Sequence, residues 1–116
     1  MEKRERLERM FAGDAVDRVP VALWRPFPGD DQRTADFATA VIDFQLRYDW
    51  DLCVIVPQWG FAGTDYGLQD VWKGDPNGVR DVIRYPVRRS LDWTDIRASD
   101  PTRGEFGRTA EVVKTV

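Results

Sequence analysis

The sequence predicts an α/β fold built on parallel strands. Three observations carry that prediction. Residues 19–24 (VPVALW) and 52–56 (LCVIV) are short, almost wholly apolar runs bounded by turn residues, as expected of strands buried on both faces. Between them lies a stretch of helical periodicity. Strand, helix and strand in that order make a βαβ unit, which implies parallel strands and a right-handed crossover. A third, more local signal sits downstream, where two short runs flank a glycine- and asparagine-containing turn.

The elements follow in chain order. Residues 2–12 (EKRERLERMFA) read as a short amphipathic helix, with Leu7, Met10 and Phe11 forming an inward stripe and Gly13 suited to the left-handed position beyond its end. Its Lys3, Arg4, Arg6 and Arg9 alternate with Glu2, Glu5 and Glu8, which reads as a solvated helix face. The first strand is 19–24, with Pro20 tolerated near its start. A second helix follows Pro26-Phe-Pro-Gly-Asp-Asp, with Thr34 or Asp36 placed to cap it. Phe37, Val41, Phe44 and Tyr48 run down one of its faces, widened by Ala38 and Ile42. The second strand, 52–56, is closed by Pro57. Residues 69–72 and 80–86 are expected to pair as a hairpin, because Asn77-Gly78 favours a tight turn. Leu91, Trp93 and Ile96 form a short helical turn or loop anchor. A last helix begins at Gly104 or Glu105, with Phe106, Ala110, Val113 and Val116 on its stripe and no stop signal after it, so the sequence reads as cut short.

Composition narrows the chemistry. The chain has 116 residues, 17 basic and 20 acidic, one cysteine and no histidine. Without histidine there is no Ser-His-Asp or Cys-His catalysis and no imidazole-bound metal. A single cysteine excludes an internal disulfide and a multi-cysteine cluster. No cofactor is expected, and no metal-ligand set. The net charge of −3 argues against a nucleic-acid partner, and no apolar run reaches the roughly 18–20 residues of a membrane span. A cytoplasmic location is expected from the missing disulfide framework and secretory signal.

Phosphate-binding glycine loops are absent after either strand. In parallel α/β folds the carboxyl ends of strands face the ligand. Arg25, directly after the first strand, is therefore a candidate grip for a carboxylate, or else it pairs with Asp30 or Asp31. Gln58 after the second strand could hydrogen-bond a ligand, while Trp59 and Phe61 either wall a pocket or belong to the core. Asp65 and Asp70 lie in a loop without a partner at a telling spacing. Cys53 reads as core.

The stretch from Gly13 to Arg25, with Val-Asp-Arg-Val-Pro at 16–20, resembles the amino-terminal region of the uroporphyrinogen decarboxylase family. The charged helix before it, Phe44 to Asp49 after it, Asp92-Trp93, Asp100-Pro101 and Gly104 to Gly107 fit the same pattern, so the resemblance covers nearly the whole chain. It implies a partial TIM-type (β/α)8 barrel: the first two βα units plus a hairpin excursion. It also implies a carboxy-lyase working without a cofactor on a porphyrinogen, or a relative that transfers methyl groups to or from corrinoid or thiol carriers, using zinc held by residues late in the chain. Arg25 matches the first arginine of the family's strand-one motif, whereas the second is replaced within Pro26-Phe-Pro-Gly-Asp-Asp. Gln58 falls where the family has an aspartate. Arg25, Gln58 and Trp59 are thus the expected substrate-binding residues, and the substrate a small anionic molecule.

A (β/α)8 barrel usually needs about 250 residues. The leading expectation is therefore the amino-terminal portion of such a barrel, spanning 1–116 and inactive alone, whose partner is the missing carboxy-terminal part or a second copy. The alternative is a non-enzymatic small α/β module that self-associates or docks a partner through its open sheet edge.

Overall fold

In a computed structural model describing residues 1–116, the charged amino-terminal run folds into α1 (Lys3–Ala12). Gly13, at φ 80°, ends it by donating to the carbonyls of Arg9 and Met10. Ion pairs one turn apart, Arg4 with Glu8 and Arg9 with Glu5, support its outer face. The expected inward stripe is not the buried one. Phe11 is 80 % exposed, and the buried residue of α1 is Arg6.

Residues 19–24 and 52–56 form no strand; neither run has regular secondary structure, and Leu52 lies in a bend. The two runs meet through one backbone hydrogen bond, from the Asp51 N–H to the Val21 carbonyl at 2.9 Å. This corrects the predicted parallel ladder. A lone parallel pair is marginal in water, because such sheets form where further strands and covering helices bury both faces.

A turn of 3₁₀ helix at Asp30–Gln32 leads into α2 (Thr34–Tyr48). Neither Thr34 nor Asp36 caps it; the N-cap is Arg33, without a side-chain bond. Its apolar face is the one the sequence marks as far as Phe44, whereas Tyr48 at the far end is exposed. The core is Phe37, Ala38 and Val41 of α2 with Val112, and Phe27, Cys53 and Ile55 pack against it. Phe27 also stacks edge-on to Phe44 at 5.8 Å, which ties the stretch after the first apolar run to the helix.

A short helix α3 (Phe61–Thr64) precedes β1 (Gln69–Val71) and β2 (Asp81–Arg84), an antiparallel pair. Asp70 lies opposite Val82 and Val71 opposite Asp81. The predicted hairpin is present about the predicted turn, with Gly78 at φ 77° donating to the Asp75 carbonyl. Ser90–Asp95 forms a 3₁₀ helix, yet Leu91 and Trp93 are exposed, so they anchor nothing. Helix α4 (Gly104–Thr115) packs on α2 and α3. Its buried face runs through Gly107 and Val112 rather than through Ala110, Val113 and Val116. The cause is local: the Thr102 backbone approaches so closely that a Cβ at Gly107 would lie 2.5 Å from it.

The fold is thus mixed helix with one small antiparallel sheet, and no barrel is closed. Its radius of gyration is 17.8 Å, against about 13 Å for a compact domain of this length. Accessible surface is 8269 Å², against roughly 6,500 Å² for a folded monomer of this mass. Many large apolar side chains are exposed. Val19, Val21, Leu23 and Leu52 are exposed, and Trp24 is 60 % exposed. No helix is long and apolar enough to cross a membrane.

Candidate functional site

Two polar clusters organise the two apolar runs, one at their beginnings and one after their ends. At the beginnings stand Arg6, Asp17, Arg18 and Asp51. Arg6 donates through Nε and Nη2 to Asp17 at 2.7 and 2.8 Å, and through Nη1 to Asp51 at 2.6 Å. Arg18 donates to both Asp51 oxygens, at 2.5 and 2.8 Å. The Val21 N–H completes the set, donating to Asp51 at 2.8 Å. Helix α1, the start of one run and the start of the other are thereby locked together.

These bonds hold both carboxylates well below the usual range. For Asp17 the main cause is the hydrogen bond from Arg6; for Asp51 it is that from Arg18, followed by the Val21 N–H. Such carboxylates stay ionised and fully bonded, so they position the chain and do not transfer protons. Reading the charges of residues 2–12 as solvated therefore fails at Arg6, which is buried together with Asp51. The signal available was the acidic and basic pair within the 16–20 motif, whose partners lie far away in sequence.

After the ends of the runs stand Arg25 and Gln58. Gln58 is 6 % exposed and sits in a chain of amide and hydroxyl bonds. Gln32 Nε2 donates to Asp31 Oδ1 at 2.7 Å and to Gln58 Oε1 at 2.9 Å. Gln58 Nε2 donates to Thr64 Oγ1 at 3.3 Å, and that hydroxyl donates to the Gly60 carbonyl at 2.9 Å. Asp31 is buried as well. The 3₁₀ turn thus presents Asp31 and Gln32 to the end of the second run, while α3 returns Thr64 to the same point. Asp31, Gln32 and Thr64 are the members that sequence reasoning missed.

Arg25 is exposed and joins neither cluster. It donates from Nε to the Pro26 carbonyl at 3.1 Å, and its guanidinium lies 5.2 Å from the Phe27 ring centre. Neither Asp30 nor Asp31 pairs with it. Trp59 is 51 % exposed beside the buried Gln58. Phe61 packs edge-on against Phe106 of α4 at 6.0 Å, so it belongs to the packing of α3 rather than to an open wall.

The remaining candidates have structural partners. Asp65 accepts the Glu105 and Phe106 N–H groups at 2.7 and 3.1 Å, capping α4 from a distant loop. Asp70 accepts Arg80 Nε at 2.8 Å, and its second oxygen rests on Gly60, where a Cβ would lie 2.5 Å away. Burial pushes the Cys53 thiol up, as expected of a core cysteine. No three metal-ligating side chains gather anywhere in the fold. The arrangement offers hydrogen bonding, one free guanidinium and a half-exposed indole: the means to bind, without a nucleophile and base in contact. Comparison with known protein families, with characterised proteins and with solved structures finds no match to the chain.

Proposed function

We propose that this chain is the amino-terminal part of a (β/α)8 barrel of the uroporphyrinogen-decarboxylase type, with residues 19–24 and 52–56 as its first two barrel strands. The observation that carries this reading is the state of those two runs. They are apolar, meet where the Asp51 N–H reaches the Val21 carbonyl and are joined through α2, yet neither forms a strand or donates a backbone–backbone hydrogen bond. Helix α2 covers the Cys53 and Ile55 side of the second run, while Val21, Leu23, Trp24 and Leu52 stay uncovered. A barrel supplies what is lacking on both counts, since its neighbouring strands satisfy the backbone and its interior side chains fill the inner face. The excess surface, on the order of 1,800 Å², is about twice what one partner buries in an ordinary protein–protein interface. The 16–20 motif that carries the resemblance also gains a physical role, because Asp17 and Arg18 hold both runs in place.

In the complete barrel, Arg25 and Gln58 stand just beyond the strand ends, where barrel enzymes bind substrate. The unpaired Arg25 guanidinium takes a carboxylate of a small anionic substrate, and Gln58 and Trp59 line its pocket. The reaction is decarboxylation or methyl transfer, and the chain alone is inactive. The test is complementation: mix the chain with a family barrel lacking its first two βα units, then measure association and turnover of a porphyrinogen or methyl donor. A one-to-one complex whose turnover falls on Arg25→Ala is expected. Turnover by the chain alone, or a stable homodimer that ignores the complement, overturns the proposal.

A further inference from the structure

The hairpin and the loop after it carry basic residues that the pairings above do not absorb. Around β1 and β2 most charges are matched: Arg80 with Asp70 at 2.8 Å, and Lys73 with Asp81 at 2.8 Å. Arg89 stands 3.8 Å from Asp92. Arg84 and Arg88 have no ion pair, and neither side chain donates a hydrogen bond within the chain. Both nevertheless line the same two adjoining clefts, of about 570 and 470 Å³, with Tyr85 between them. The smaller cleft contains no acidic residue.

The larger cleft also holds Asp92 and Asp95, but Asp92 is committed elsewhere. Its Oδ2 accepts the Arg88 and Arg89 N–H groups, both at 2.9 Å, and these bonds, followed by the nearby Arg88 charge, hold the carboxyl below its ordinary range. Asp92 thereby fixes the backbone from which Arg88 projects. On the other side of Tyr85 and Pro86 opens an apolar hollow of about 310 Å³, lined also by Tyr66, Trp93 and Ile96. None of these cavities includes Arg25, Gln58 or Trp59. Two free guanidiniums beside an exposed aromatic ring, next to an apolar hollow, match a ligand that is planar and apolar at one end and doubly negative at the other.

We propose that Arg84, Tyr85 and Arg88 form a second small-molecule site, one that takes a dianionic ligand with a planar apolar body. The negative groups are carboxylate or phosphate. The site is independent of whether the chain belongs to a barrel.

The probe is naphthalene-1,3-disulfonate, whose two sulfonates share one ring and leave the other apolar, titrated calorimetrically into the full chain, with neutral 1-naphthalenemethanol as its uncharged counterpart. The neutral compound is expected to bind at least about tenfold more weakly, since charge-assisted bonds are lost. Arg84→Gln and Arg88→Gln each weaken the disulfonate by about tenfold, whereas Arg84→Lys and Arg88→Lys keep most of the affinity. Both side chains are exposed and make no internal bond, so the circular dichroism spectrum of each variant should match the parent. Naphthalene-2,3-dicarboxylate or 1-naphthyl phosphate should displace the probe, and the stronger competitor identifies the anion. Equal affinity for the neutral compound, full binding by the double glutamine variant, or displacement by neither competitor overturns the proposal.

Discussion

Replacing Phe37 by alanine is the most informative single perturbation of the fold. Phe37 is 0 % exposed and stands where α2, α4 and the second apolar run converge, against Val41 and Val112, with Phe27 and Ile55 packed on the cluster. Its ring centre lies 6.4 Å from that of Phe27. Truncating a buried phenylalanine costs about 3–5 kcal/mol, the spread reflecting how far the site can collapse. Here one side of the molecule is uncovered and neighbours can move inward, which places the loss near the low end, about 3 kcal/mol. A domain of ordinary compactness has about 5–15 kcal/mol to lose, and this one buries less than usual. The variant should therefore lose most of its cooperative transition. Urea titration followed by far-ultraviolet circular dichroism measures it, with Trp93→Ala as the control. Trp93 is exposed on the 3₁₀ turn, so its removal should shift stability by no more than about 0.5 kcal/mol. If Phe37→Ala costs under about 1 kcal/mol, or no more than Trp93→Ala, the α2–α4 seam is not what holds the chain together.

Acid should weaken the fold through Asp17 and Asp51. Their folded carboxyls sit far below the unfolded value near 4, so their contribution is present above that value and lost as pH falls through the folded one. The urea midpoint should drop steadily below about pH 5, and Asp51→Asn should lower it at neutral pH while flattening the acid slope; a wild-type midpoint unchanged down to about pH 3 contradicts this. Gly78→Ala should cost about 1–2 kcal/mol, because φ is 77° and the new Cβ would meet Pro26 at 3.2 Å; denaturation of the variant measures it, and a neutral result denies the hairpin's contact with that proline. Cys53 should react with a disulfide reagent more slowly than a free cysteine at pH 8 and catch up in urea, since burial raises its thiol; equal rates without urea would mean that residues 52–56 do not pack on α2.

What the sequence discloses follows how local each determinant is. The hairpin is legible because Asn77-Gly78 sets its turn within a few residues. Helix α2 is legible because its apolar period is long and its core is the marked face. For α1 the bounds are right and the buried face is wrong, because Arg6 is drawn inward by Asp17 and Asp51. No window on α1 contains either partner. For α4 the inward face is decided by the Thr102 backbone against Gly107, a local contact that the apolar pattern of the helix does not encode. The two apolar runs predicted as strands form none, because a ladder needs neighbouring strands that these residues do not provide. At the site, Gln58 is legible from its place after the second run. Asp31, Gln32 and Thr64 are not, because each is an ordinary loop residue until the 3₁₀ turn and α3 bring them to the same amide.

Amide hydrogen exchange at residues 19–24 and 52–56 tests the barrel reading most directly. In the chain alone these amides should exchange fast, apart from Val21, whose N–H is held by Asp51. Adding a family barrel that lacks its first two βα units should slow them together, as a ladder forms on each run. Strong protection of both runs in the monomeric chain, or no change when the complement is added, would contradict it.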